Sequence, residues 1–281
     1  MTTHAPVAAA PTVTLANGVK MPMLGLGTWP MNDTQAADAV SNALGIGYRL
    51  IDTAENYGNE VGVGEGIRRS HVPRDQVFVT TKFNKRWHSV DGAKVACEAS
   101  LKRLGLDYID LLLIHWPNPD QDRYVDAFRG LVKLLDAGVV RAIGTSNFKP
   151  AHLQKLFDAG MVPHVNQIQL DPMHTRSDIV TIHQARGIVT EAWSPLGRDS
   201  ALLKTPVIVD ISNRIGRTEA QVVLRWHVQQ GIIPTPKSSA ATRQAENLRV
   251  FDFTLTAADM AAISALDRPD PKMMDADVFG H

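Results

Sequence analysis

Ile109-Asp-Leu-Leu-Leu-Ile-His115, then Tyr124-Val-Asp-Ala-Phe-Arg-Gly-Leu-Val-Lys-Leu-Leu135, then Asp136-Ala-Gly138 and Arg141-Ala-Ile-Gly-Thr-Ser146-Asn147, is the stretch on which the fold turns. Its first part is an almost unbroken apolar run of strand length, as a strand covered on both faces requires. Its second part carries apolar residues at helical spacing. Gly138 stands where a helix C-cap favours a residue that can turn left-handed. A second short apolar run follows at 141–143. Strand, helix and strand make one βαβ unit and therefore a parallel strand pair.

The same rhythm extends in both directions. Further apolar runs of strand length lie at 23–26, 50–51, 77–79, 165–168, 188–189 and 231–233. Helical spacing recurs at 36–44, 90–104, 151–157, 179–186 and 218–228. Asp158-Ala-Gly160 repeats the C-cap pattern, and Thr218-Glu-Ala-Gln221 reads as a capping box. Eight strand-plus-helix repeats close naturally into a (β/α)8 TIM barrel. Ahead of them, Val13-Thr-Leu-Ala-Asn17-Gly18-Val-Lys-Met21 alternates around an Asn-Gly pair, which predicts an N-terminal hairpin with a two-residue turn. The competing architecture is an open doubly wound sheet, but its glycine fingerprint is missing. Gly25-Leu-Gly27 lacks the third glycine, and Gly62-Val-Gly64-Glu-Gly66 follows a loop at the wrong spacing. Gly62 and Gly64 are expected instead to let a short helix pack closely. The expected organisation is one barrel domain over 1–281, with a leader at 1–12 and a tail at 266–281 forming a C-terminal substrate loop.

Composition agrees with one globular domain. Of the 281 residues, 44% are hydrophobic and 21% charged, which is ordinary for a soluble protein. Such a length can bury one large core without disulfide or metal staples. The 29 basic and 29 acidic side chains cancel, which argues against binding duplex nucleic acid. The one cysteine, Cys97, lies in a helical segment and is expected to be an inert packed thiol. The first ten residues lack the charged and apolar regions of a secretory signal. No stretch approaches the ~20 apolar residues of a membrane span. The expected location is therefore cytoplasmic.

The polar residues that end the apolar runs carry the chemistry. Asp52, Lys82, His115 and Ser146-Asn147 follow successive runs at intervals of 30, 33 and 31 residues, one strand–helix period each. In a barrel they converge on the carboxyl-terminal rim, where barrel enzymes place their reactive groups. A lone ionisable residue after a strand is usually a cap or a solvated group. Several in phase, of opposite charge, point to a site. Tyr57 lies five residues beyond Asp52 and can overhang the same rim. A phenol of ordinary pKa about 10 is a weak acid at neutrality, and a neighbouring ammonium lowers that value. Lys82 is expected to activate Tyr57 in this way, with Asp52 orienting Lys82 and His115 bonding the substrate carbonyl. Such a site donates a proton to a carbonyl oxygen as hydride reaches its carbon. It offers no zinc-like ligand set and no glycosidase carboxylate pair, so no metal is expected.

Taken jointly, Ile51-Asp-Thr-Ala-Glu-Asn-Tyr57-Gly-Asn-Glu60, Thr81-Lys82, Leu113-Ile-His115-Trp-Pro117, Gly144-Thr-Ser-Asn-Phe148, Val165-Asn-Gln167, Ala192-Trp-Ser-Pro-Leu-Gly197 and Pro236-Lys-Ser238 resemble the aldo-keto reductases. Order and spacing fit from about 13 to 253. Trp193 gives the sequence a flavour similar to the bacterial 2,5-diketo-gluconate reductase branch. The resemblance implies that Asp52, Tyr57, Lys82 and His115 form a catalytic tetrad with Tyr57 as proton donor. It implies that Ser146, Asn147 and Gln167 hold the nicotinamide carboxamide, that Trp193 stacks on the ring, and that Ser194, Leu196 and Gly197 line the pyrophosphate. It implies NADPH as cofactor without a dinucleotide-binding glycine fingerprint, and a monomer.

Lys237-Ser-Ser-Ala-Ala-Thr-Arg243-Gln-Ala-Glu246-Asn247 follows the eighth apolar run and opens a helix. Helix N-termini attract anions, and Lys237 and Arg243 add cations suited to a 2′-phosphate. By resemblance, Ser238 belongs to this cofactor segment and Glu246 and Asn247 meet the adenine. Ala240 departs from the family, which often places a polar or basic phosphate contact there. NADPH is still expected over NADH.

Trp29, Asn84, Trp87 and Trp116 are the expected substrate-pocket residues, with Asn84 standing where relatives often carry an aromatic. No obvious arginine clamp marks a carboxylate substrate, so small aldehydes, α-dicarbonyls and keto-sugars all remain open. His164, His174, His183 and His227 share no spacing and are expected at surface or satisfied core positions. Two rivals to a carbonyl reductase stay in view: an NADPH-binding sensor or regulatory subunit on the same fold, and a cofactor-free isomerase or lyase using Tyr57 and Lys82.

Overall fold

The computed structural model describes residues 10–198, 201–268 and 273–281. Most of the expected leader (1–9) and part of the tail (269–272) lie outside the described residues. Two short strands, β1 (Thr12–Thr14) and β2 (Lys20–Pro22), pair antiparallel. Eight parallel strands follow: β3 (Gly25–Gly27), β4 (Leu50–Asp52), β5 (Phe78–Phe83), β6 (Ile109–Ile114), β7 (Val140–Ser146), β8 (Val165–Gln169), β9 (Val189–Trp193) and β10 (Ile233–Pro234). Each pairs with its sequence neighbour, so the sheet winds once around.

The expected strands are all present, and the (β/α)8 barrel is closed by one contact. Gly27 bridges to Lys237, and its N–H donates to Pro236 O at 3.2 Å. A Cβ on Gly27 would stand 2.7 Å from Thr235 O, so this seam admits no side chain. The glycine pair that failed as a dinucleotide fingerprint thus has a structural task. It lets the first and last strands meet.

The helices are α1 (Asp33–Ile46), α2 (Glu60–Ser70), α3 (Val90–Leu104), α4 (Tyr124–Asp136), α5 (Pro150–Asp158), α6 (Ser177–Arg186), α7 (Pro206–Ile215), α8 (Glu219–Gln229), α9 (Ala241–Leu248) and α10 (Ala257–Ser264). The Thr218 capping box is made as expected, its Oγ1 accepting from Gln221 N at 3.2 Å while Gln221 Oε1 accepts from Thr218 N at 3.0 Å. Gly62 and Gly64 do let α2 pack closely. A Cβ there would fall 2.1 Å from Asp33 O and 1.9 Å from Leu104 O. Cys97 is buried, and burial pushes its thiol up to about 12, so it is inert packing. His183 is a satisfied core histidine between Asn166 and Thr190, and His227 meets Pro195 O at 3.0 Å.

The hairpin forms, but not around a two-residue turn. Val13 pairs with Met21, leaving residues 16–18 as a three-residue loop. Only Gly18 takes a positive φ, +86°, and its N–H donates to Leu15 O at 2.8 Å. This is the longer hairpin with glycine in the left-handed position. Asn17 is freed to donate its amide to Arg141 O at 2.9 Å. The hairpin then has a packing role. Leu15 and Met21 join Leu50, Phe78, Leu111 and Val165 in one apolar cluster inside the amino-terminal end of the barrel. With that end plugged by hydrocarbon, the polar interior is confined to the carboxyl-terminal end.

Candidate active site

Four elements deliver the reactive groups to that end. Asp52 is the last residue of β4, Lys82 lies near the end of β5, and His115 follows β6. Tyr57 ends a single 3-10 turn (Glu55–Tyr57) in the loop after β4. Lys82 is fully buried, and its Nζ donates to Asp52 Oδ1 at 2.7 Å, Thr53 O at 2.9 Å and Tyr57 Oη at 3.3 Å. All three ammonium hydrogens therefore have acceptors. The His115 ring meets the Tyr57 ring edge-on at 5.8 Å. The structure thus brings together all four residues predicted from spacing.

The electrostatics refine one expectation. Burial opposes the Lys82 charge, but Asp52, with help from Tyr57 and Glu191, outweighs it and raises the ammonium pKa. Lys82 is a permanent cation. Tyr57 was expected to be acidified by it, yet its pKa is raised, because burial outweighs the pull of Lys82, and Asp52 and Glu191 add to the upward push. Tyr57 is therefore kept protonated. His115 is pushed well below its ordinary range by burial, then by Lys82 and His281, and is neutral at pH 7. Its Nδ1 is buried without a hydrogen-bond partner among the described residues.

A cavity of about 920 Å³ opens above these groups, with Asp52, Tyr57 and His115 in its floor. Ser146, Asn147 and Gln167 line it. Gln167 Nε2 donates to Asp52 Oδ1 at 2.8 Å, and Ser146 Oγ donates to Gln167 O at 3.0 Å. Asn147 adopts φ +64°, which turns its amide across to His115 O at 3.1 Å. Trp193 Nε1 donates to Asn147 Oδ1 at 2.8 Å, fixing the indole as one wall. Ser194, Leu196 and Gly197 continue that wall, and Ser194 also takes a positive φ, +50°.

The far end of the cavity is formed by Lys237, Ser238, Arg243, Glu246 and Asn247. Lys237 and Arg243 are exposed, and neither has a carboxylate partner among the described residues. Ala240 is the N-cap of α9 and supplies no side-chain cap, so the first amides of that helix are free to meet an anion. Ser238 is buried, with its Oγ turned to Ala240 O at 3.2 Å. An elongated cavity with a polar, aromatic-walled end and a cationic end fits a phosphorylated dinucleotide.

The predicted substrate residues divide. Trp29 and Trp116 line the cavity. Asn84 and Trp87 do not. The Asn84 amide donates to Asn56 Oδ1 at 2.7 Å, and Trp87 Nε1 donates to Glu55 at 3.0 Å. Glu55, with Arg86 as its ion-pair partner, ties that segment to the turn carrying Tyr57. The tail supplies further lining. Met274, Phe279 and His281 line the cavity, with the Phe279 ring 4.8 Å from Trp116 and the His281 ring 5.2 Å from His115. Lys149 holds the tail through Asp275 at 2.6 Å and Asp277 at 2.5 Å. Sequence reasoning missed His281, for which no local pattern exists. It also missed Glu191, for which one did: an acid two residues before Trp193 in a strand shares its face.

Among the described residues no cluster of three metal-ligating side chains occurs, and no helix is long and apolar enough to cross a membrane. The sequence profile of the Aldo/keto reductase family matches residues 22–268. The chain belongs to the aldo/keto reductase family. An aldo-keto reductase of Mycolicibacterium smegmatis is 45% identical over 271 residues, covering 94% of this chain and 98% of the relative. The 2,5-diketo-D-gluconic acid reductase B of a Corynebacterium species is 44% identical, covering 96% and 98%. Among solved structures, a substituted form of Gox0644 in complex with NADPH superposes with a TM-score of 0.92 at 40% identity, covering 97% and 99%.

Proposed function

We propose that this aldo-keto reductase reduces small aldehydes and ketones with NADPH, and that Tyr57 donates the proton. The observation that carries the reading is Lys82, whose Nζ joins Asp52 at 2.7 Å to Tyr57 Oη at 3.3 Å in the floor of the cavity. The Gox0644 complex with NADPH and the exposed cations Lys237 and Arg243 support the cofactor assignment. When bound, the nicotinamide supplies hydride to the carbonyl carbon. Trp193 offers a flat wall for its ring, and Ser146, Asn147 and Gln167 offer hydrogen-bonding groups for its carboxamide.

Tyr57 gives its proton to the carbonyl oxygen, and Lys82 stabilises the phenolate left behind. Neutral His115 donates a hydrogen bond to the same oxygen without competing to ionise. Trp29, Trp116 and Phe279 shape an aromatic entrance that favours small carbonyl compounds with an apolar or sugar-like flank.

The test is NADPH oxidation against a panel of aldehydes, α-dicarbonyls and keto-sugars, beside Tyr57→Phe. Loss of a positioned general acid costs about 10²–10⁴-fold in turnover. We expect that loss with NADPH still quenching protein fluorescence normally. Full turnover by Tyr57→Phe would overturn the reading, and absence of turnover in both proteins with intact NADPH binding would favour a sensor.

A further inference from the structure

Glu191 is a buried acid that the tetrad leaves unused. In the strand register it stands opposite Gln167 of β8 and Ile233 of β10. Neighbouring in-register side chains point to the same side of a sheet, and Gln167 points inward, to Asp52. Glu191 therefore projects into the barrel beneath the cavity. It is 0% exposed, and among the described residues no hydrogen bond of ordinary geometry reaches either carboxyl oxygen; the Gln167 amide approaches it but is already given to Asp52 at 2.8 Å.

The charged groups whose fields reach it are Asp52 from β4 and Lys82 from β5, with Tyr57 feeling its charge in turn. Its neighbours from β8 and β10, Gln167 and Ile233, are neutral. The barrel floor thus holds two carboxyl groups and one ammonium. Asp52 already occupies Lys82 through the 2.7 Å contact. A second carboxylate in that space, with no cation of its own, is costly, and the economical state is the neutral acid. Burial first, and then Asp52, push Glu191 up to about 8, with Lys82 and the Gln167 amide pulling the other way.

We propose that Glu191 is an electrostatic positioning residue for carbonyl reduction: protonated, it leaves the field of Lys82 to Tyr57, and ionised, it competes for that field and holds the Tyr57 proton back. The proposal rests on the reduction and proton donor argued above. No bond to substrate is involved; one proton leaves the Glu191 carboxyl for solvent as pH rises. The same residue gives the enzyme an alkaline limit set below that of Tyr57 itself.

The test is the pH profile of kcat/KM for reduction, from pH 6 to 9.5, in wild type and Glu191→Gln. Wild type is expected to lose activity with an apparent midpoint near 8. Glu191→Gln, which keeps the volume and removes the ionisation, is expected to stay flat across that range and to lie within about threefold of wild type at pH 7. An unchanged alkaline limb in Glu191→Gln, or none in wild type, overturns the proposal. Carboxyl ¹³C NMR of glutamate-labelled wild type, free of cofactor, provides a readout independent of turnover. One glutamate resonance titrating near pH 8 supports the proposal, and all titrating in the ordinary carboxylate range refutes it. Turnover retained in Tyr57→Phe would instead refute the underlying proton-donor reading, so the two failures are distinguishable.

Discussion

Lys82→Met separates the two roles that one ammonium plays. Asp52 is 4% exposed, and Lys82 is its cationic partner at 2.7 Å. Methionine fills most of the lysine volume, so the cavity term is small and the loss is chiefly electrostatic. Stranding one member of a buried ion pair costs about 3–5 kcal/mol. Against a total stability on the order of 5–15 kcal/mol, that is a large share. The Gln167 amide still donates to Asp52 at 2.8 Å, which places the expected cost at the lower end, about 3 kcal/mol. Tyr57 simultaneously loses the one cation that stabilises its phenolate, and turnover is expected to fall by about 10²–10⁴-fold. The decisive comparison is the double variant Asp52→Asn/Lys82→Met. It removes the stranded charge, so most of the stability should return while activity stays lost. Urea unfolding at pH 7 measures the first quantity and kcat/KM the second. If the double variant unfolds as early as Lys82→Met, or if its activity recovers, the ion-pair account is wrong.

Two further predictions follow from the charges. Arg243→Ala should weaken NADPH about tenfold, as loss of one hydrogen bond to a charged group implies, while leaving NADH nearly unchanged; equal efficiency with both cofactors in wild type would refute the phosphate-site reading. Burial pushes His88, His183 and His227 each down to about 4. The unfolded chain therefore takes up protons below about pH 6.5 that the folded chain refuses, and stability falls with falling pH by up to about 1.4 kcal/mol per unit for each proton. Glu191 acts with the opposite sign, because the folded state keeps its proton up to about pH 8 while the unfolded chain has lost it. Unfolding free energy should accordingly peak near the ordinary histidine pKa, about 6.5, and decline on both sides; a value still rising between pH 6.5 and 8 would contradict these burials.

What could be read from the sequence depended on how local its cause is. Each strand and its terminal polar residue lie within a few positions of one another, so Asp52, Lys82 and His115 could be placed on one rim from phase alone. Tyr57 could be paired with Lys82 because one 3-10 turn spans the gap from Asp52. Asn84 and Trp87 do not line the cavity, for the opposite reason. Glu55, more than thirty residues upstream, captures the Trp87 indole N–H and the neighbouring Arg86, and Asn56 captures the Asn84 amide. The tail was expected beside the site, but which of its residues line the cavity was unreadable, because its anchor is Lys149, far along the chain from Asp275 and Asp277.

Tyr57 shows where chemical intuition needs the fold as well as the neighbour list. Proximity to Lys82 predicts a more acidic phenol. The folded site buries the phenol beside two acids, and the desolvation outweighs the cation. In the proposed reduction, a donor that must keep its proton until hydride arrives is better served by that outcome than by an acidified one. The stabilising influence of Lys82 is then needed only as the phenolate forms, which is when an interaction accelerates a reaction. The proposed role of Glu191 follows the same logic: as a neutral acid it would add no competing charge at that moment, and its ionisation would remove the advantage.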